Sequence, residues 1–140
     1  MTRNGNPYAT GADSSFSFTP DDNGAYLVSL TVTDNDGGSS KDSKTITVAN
    51  VNPSAAIDGA PASSPEGPTI NLTSTVTDPG AADTFSYAWS VTKNGSQFAV
   101  GAAPSFSFTP NGNGAYLVSL VVTDDDGGVG RDSKTILVPR

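Results

Sequence analysis

The chain has 140 residues, fourteen acidic against seven basic side chains, a net charge of −7, and neither cysteine nor histidine. That balance argues against a nucleic-acid partner, which needs clustered Lys and Arg for its phosphates. It also removes disulfides, thiol chemistry and the common histidine-based triads and zinc sites. Fifteen Gly, ten Pro, abundant Thr, Ser and Val, and no sustained helical periodicity predict an all-β class of short strands and many turns.

The first fifty residues offer an apolar-polar alternation at Phe16 and Phe18, a longer one at Tyr26, Val28, Leu30 and Val32, and a third ending in Ile46 and Val48. The same phrases return later without a gap. MTRNG at Met1 lies over VTKNG at Val91, SSFSFTP over PSFSFTP, and DSKTITV over DSKTILV, with about 32 of the 50 overlapping positions identical. Residues 51–90 have no upstream counterpart. The chain is therefore expected to hold one complete repeat, residues 51–140, preceded by the later strands of another, residues 1–50.

The complete repeat is predicted to hold about seven strands. Ala55 to Asp58 opens it, and a turn-rich PASSPEGP kink follows. Thr69 to Asp78 places Ile70, Leu72 and Val76 on one face, and Phe85 to Lys93 does the same for Tyr87, Trp89 and Val91. Asn94-Gly95 reads as a two-residue hairpin turn whose central positions both need positive φ. Gln97 to Val100, Ser105 to Thr109, Ala115 to Thr123 and Arg131 to Val138 complete the set. One Trp on the third strand and turn signals between short strands fit a β-sandwich. Tyr116, just past Asn113-Gly114, stands where a tyrosine corner would bond its hydroxyl back to the preceding loop.

Asn52-Pro53, the segment TDPGAADTFSYAWSV and the segment FTPNGNGAYLVSLVVTDDDGG together resemble a PKD-type repeat, over all of residues 51–138 and the matching part of residues 1–48. The resemblance implies an immunoglobulin-like β-sandwich of the kind found in bacterial and archaeal surface proteins and secreted hydrolases. Many members read Trp-x-Phe-Gly-Asp-Gly where this chain reads Trp89-Ser90-Val91-Thr92-Lys93-Asn94-Gly95, so the role of that loop does not carry over.

Residues 1–50 then supply apolar side chains to a core with no opposite wall, and two or three strands do not stand alone in water. The linker from Val48 to Pro53 reaches at most about 17 Å, whereas a strand of eight residues is about 26 Å long. It is too short to bring residues 51–90 back over the first half. Met1 falls where the repeat has Val91, as a valine codon read as a start would produce, so the half-unit reads as the end of a longer array. Completion by strands of a neighbouring chain is the alternative.

The acids form three clusters: Asp21-Asp22, Asp78 with Asp83, and Asp124 to Asp126. Asp-Gly and Asp-Pro start turns without any metal. A sandwich topology, however, places Asp78, Asp83, Asp124 and Asp126 at the end where Asn52 enters. Gathered oxygen ligands of this kind suit Ca²⁺, and the resemblance implies the same. Asn52, Asp78, Asp83, Asp124 and Asp126 are the candidate ligands, and Asp21 and Asp22 join them if repeats stack end to end. The repeated Asp-Ser-Lys (Asp42 to Lys44, Asp132 to Lys134) reads as exposed polar strand, not a Ser-Lys nucleophile, and no catalysis is expected. No membrane span appears. The expected role is an extracellular or cell-surface structural module, stalk or filament subunit, its export signal outside this chain and its partners copies of itself or neighbouring repeats. A cell-surface glycan or protein is a further expected partner, and an accessory binding domain that targets a secreted hydrolase to a polysaccharide or protein is the other expectation.

Overall fold

The computed structural model describes residues 1–140 and contains eleven strands joined by turns, with no helix. Two compact units divide them: unit 1 is Met1–Asn50 with Gly80–Ala82, and unit 2 is Val51–Pro79 with Asp83–Arg140.

Unit 1 is a single antiparallel sheet. Strands β1 (Thr2–Arg3) and β2 (Asn6–Pro7) turn about Asn4-Gly5, both at positive φ. The ten-residue strands β3 (Gly24–Thr33) and β4 (Ser39–Val48) complete the order β2-β1-β3-β4. Tyr26 is buried because its neighbours fold over it: the Tyr8 ring meets it edge-on at 5.2 Å, Phe18 lies at 5.6 Å, and its hydroxyl donates to the Asp22 carbonyl at 2.7 Å. The rest of that face is open. Leu30, Val32 and Ile46 are 55%, 57% and 44% exposed.

Unit 2 is a seven-stranded sandwich. One sheet holds β5 (Ser54–Asp58), β6 (Ile70–Thr77) and β9 (Phe106–Phe108) in the order β5-β6-β9. The other holds β7 (Phe85–Lys93), β8 (Ser96–Gly101), β10 (Gly114–Asp124) and β11 (Val129–Val138) in the order β11-β10-β7-β8. The predicted strands are all present, with the β10–β11 hairpin extending further toward its turn than expected. Val118, Leu120, Val122 and Ile136 are fully buried, in contrast to Val28, Leu30, Val32 and Ile46 at the same places in unit 1. Trp89 stacks on Phe106 at 5.8 Å and donates its indole N–H to the Ala103 carbonyl at 2.8 Å. Asn94 and Gly95 both have positive φ, as their hairpin turn requires. The Tyr116 hydroxyl donates to the Gly112 carbonyl at 2.8 Å, which makes the tyrosine corner.

The first strand holds the two sheets together. It pairs antiparallel with β6 through Ser54–Asp58, then continues to Ser63, which bridges Leu137 of β11 in parallel. Two contacts seat it on β11. A Cβ on Gly130 would lie 2.3 Å from the Pro53 carbonyl oxygen, so only glycine allows the backbones to pass. The Ile57 N–H donates to Asp132 Oδ2 at 2.8 Å. Asp132 pairs with Leu120 across the ladder and therefore lies on the core-facing side, a correction to the reading of Asp-Ser-Lys as plain exposed strand.

Gly130→Ala is expected to lower the stability of unit 2 by about 2–3 kcal/mol through overpacking against backbone, measured by urea unfolding followed through Trp89, the sole tryptophan. Tyr116→Phe is expected to cost about 1 kcal/mol by the same measurement. The Ile57 N–H, followed by that of Ser133, holds the Asp132 carboxyl below its usual range. A depressed folded-state value means the unfolded chain takes up the proton first as pH falls. The stabilisation is complete above the ordinary aspartate range near pH ~4 and is lost on acidification through the lower folded value. Asp132→Asn is expected to flatten the acid limb of a pH–stability curve for unit 2.

Candidate metal centre

Three aspartates converge at one end of unit 2. Asp78 follows β6 and Asp83 precedes β7, so the short Pro79–Ala82 connection brings both to the loop end, while Asp124 closes β10. Each offers a carboxylate oxygen, and these lie within 4.8 Å of one another. Asp78 and Asp83 are half-buried, Asp124 is only 5% exposed, and Oδ2 of Asp78 and Oδ1 of Asp83 are shielded from solvent. Ionised oxygens at this spacing repel by about 3 kcal/mol per pair at an effective dielectric near 20. A cation among them reverses the sign of that term.

Turn chemistry accounts for part of this arrangement. Asp124 Oδ1 accepts the N–H groups of Asp126 at 2.9 Å and Gly128 at 2.7 Å, and the Asp124 N–H donates to the Gly128 carbonyl. Asp34 makes the same bonds in unit 1, to Asp36 at 2.9 Å and Gly38 at 2.8 Å, while exposed. The turn therefore needs its aspartate without any second carboxylate. What unit 2 adds is the Asp78 and Asp83 pair, contributed by a loop that has no counterpart in residues 1–50.

Asp83 also offers an oxygen within 4.8 Å of those of Asp125 and Asp126, both exposed. The Thr84 N–H donates to Asp125 Oδ1 at 3.2 Å and ties the two loops together. Asp125 is not among the ligands expected from the sequence, which take Asp124 and Asp126 from the three consecutive aspartates; its place beside Asp83 comes from the packing of the two loops. Asn52 is exposed, one residue before buried Pro53. In unit 1, Asp22 accepts an ion pair from Arg3 at 2.6 Å, and Asp21 accepts the Tyr8 hydroxyl at 3.1 Å.

The donor set is uniformly hard oxygen, from carboxylates on two loops. Ca²⁺ takes six to eight such ligands and tolerates irregular geometry. The residues present fit that ion, with Asp78, Asp83 and Asp124 as the inner group and Asp125 and Asp126 outside it.

No curated protein matches the chain. Among solved structures, the fibronectin(III)-like modules of Clostridium thermocellum CbhA align with a TM-score of 0.48 at 18% identity, covering 83% of this chain and 63% of theirs. The chain thus spans less than two thirds of that structure. The PKD domain family model matches residues 50–138, well over half of the chain and the whole of the seven-stranded sandwich. The chain belongs to the PKD domain family.

Proposed function

We propose that this chain is a non-catalytic structural module of an extracellular β-sandwich array or filament, completed by strands from a neighbouring polypeptide and stiffened by calcium. PKD domains occur in extracellular proteins and are typically non-catalytic, which supports the coarser part of the reading. No helix is long and apolar enough to cross a membrane. The observation that carries the finer part is the contrast between two copies of one strand pair. The β10–β11 face is buried under β5, β6 and β9, whereas the nearly identical β3–β4 face exposes Leu30, Val32 and Ile46. An apolar face of this kind is the surface that strand addition or repeat stacking covers. Targeting a glycan calls for exposed aromatic rings, and Phe16 is the one aromatic among the exposed large apolar residues, with Trp89 in the core. Sedimentation velocity tests assembly: association that buries the β3–β4 face supports the reading, and a monomer with that face solvated at high concentration rejects it.

Calcium is the stiffening element in this reading, held by Asp78, Asp83 and Asp124. Extracellular calcium modules bind with dissociation constants of about 10⁻⁴–10⁻³ M. At 10 mM Ca²⁺ such a site stabilises its domain by about 1.5–2.7 kcal/mol, a rise in Tm of roughly 6–20 °C for a domain of this size. That rise is expected in calcium titrations of unit 2 melting and should vanish with EGTA. Asp83→Asn should abolish it, and Asp34→Asn, in the matching turn of unit 1, should leave it intact. A melting temperature indifferent to Ca²⁺ and EGTA removes calcium from the proposal.

A further inference from the structure

Each of the three sheets ends in two edge strands, and a bare edge is a row of main-chain N–H and C=O groups open to pairing. Five of these edges are blunted. β11 carries Arg131, Asp132 and Lys134, and near its end the Leu137 N–H donates to the Ala62 carbonyl while the Ser64 N–H donates to the Leu137 carbonyl, both at 3.0 Å. β5 follows Pro53, ends on Asp58 and gives its Ile57 N–H to Asp132. β9 is three residues long between Pro104 and Pro110. In unit 1, β2 is two residues ending in Pro7, and β4 carries Lys41, Asp42 and Lys44. β8 is the exception. It reads SQFAVG, without proline or charge, and has β7 alone beside it. No charged side chain lies between Lys93 and Asp124, in a chain of net charge −7. Phe98 turns inward and meets Tyr116 edge-on at 5.3 Å, whereas Val100 is 64% exposed, the most open large apolar side chain of the protein. The fold does not require such an edge. Pro7 and Thr10 stand at the same places in unit 1, and Pro7 pairs with Thr2 as Gln97 pairs with Thr92.

We propose that β8 is a self-association edge, pairing antiparallel with β8 of a second copy of this chain. The pairing joins two four-stranded sheets into one continuous sheet. Charge selects the occupant. Copies of an acidic chain repel wherever their acids face one another, and they meet without that cost where charge is absent, as it is along this edge. Geometry agrees, since one strand paired antiparallel with its own copy has twofold symmetry and closes as a dimer. An axis normal to the sheet keeps both Val100 side chains on the same outward face, beside Ser90, with which Val100 pairs. Six residues of strand span about 20 Å, too little for an obligate interface, so the dimer is reversible and depends on concentration. The inference uses unit 2 alone and stands apart from the completion of unit 1.

The test is sedimentation velocity of the full chain up to about 1 mM, with amide hydrogen exchange read along Ser96–Gly101 and methyl NMR of Leu30, Val32 and Ile46. The expected result is a concentration-dependent dimer in which amides of β8 exchange more slowly as it forms. Val100→Lys sets like charges against one another at the junction and should weaken the dimer more than tenfold. It alters an exposed side chain, so the urea midpoint followed through Trp89 should stay where it was. Gln97→Pro, which puts the residue of unit 1 at this place, should weaken the dimer to a similar extent. A chain that stays monomeric at every concentration overturns the proposal. So does a dimer that leaves β8 exchange unchanged and survives Val100→Lys; if that dimer buries the methyls of Leu30, Val32 and Ile46, the open face of unit 1 is the contact instead.

Discussion

The arrangement of unit 2 depends on one crossing. Its first strand begins in the sheet of β6 and ends beside β11 in the other, held by the Ile57 N–H on Asp132 and by the contact of Pro53 with Gly130. Without that crossing the two sheets meet only through side chains. With it, the apolar faces are fixed over one another, and Trp89, Tyr116, Leu120 and Ile136 are sealed. Each such side chain contributes on the order of 1.5–3 kcal/mol when fully buried, so the closing strand governs a sum far larger than its own bonds. Unit 1 displays the complementary case. The same strand pair, covered only around Tyr26 by Tyr8 and Phe18, forms its ladder and its tyrosine corner yet leaves Leu30, Val32 and Ile46 exposed.

Local rules made most of the fold readable. Alternation placed Trp89, Val91, Val118, Leu120 and Val122 inward, and Asn94-Gly95 announced its turn, because side-chain period and positive φ are properties of short segments. Tyr116 was legible for the same reason, since its partner Gly112 is four residues away. Asp132 was not. Its meaning comes from Ile57, seventy-five residues earlier, and nothing near the Asp-Ser-Lys phrase tells which face it occupies. The register does, once Leu120 is seen opposite.

The acids divide along a similar line. Asp124 is needed by its own turn, and Asp34 shows that this need is complete in itself. Sequence alone therefore gave Asp124 two explanations of equal reach. The spatial fact is that Asp78 and Asp83 arrive beside it from the β6–β7 loop. A residue placed for a turn was thus available for a second use, beside two half-buried acids that arrive from another loop.

The span between Ile57 and Asp132 also sets the order in which a unit of this kind closes. Pairings between residues far apart in sequence dominate, and all-β folds of that kind form over milliseconds to seconds. During synthesis the first strand has no seat on β11 until the last has emerged. Until then β5 and β6 are a two-stranded hairpin whose apolar side has no opposite sheet. The apolar side of such a unit is thus in water for the whole time its last strand is missing.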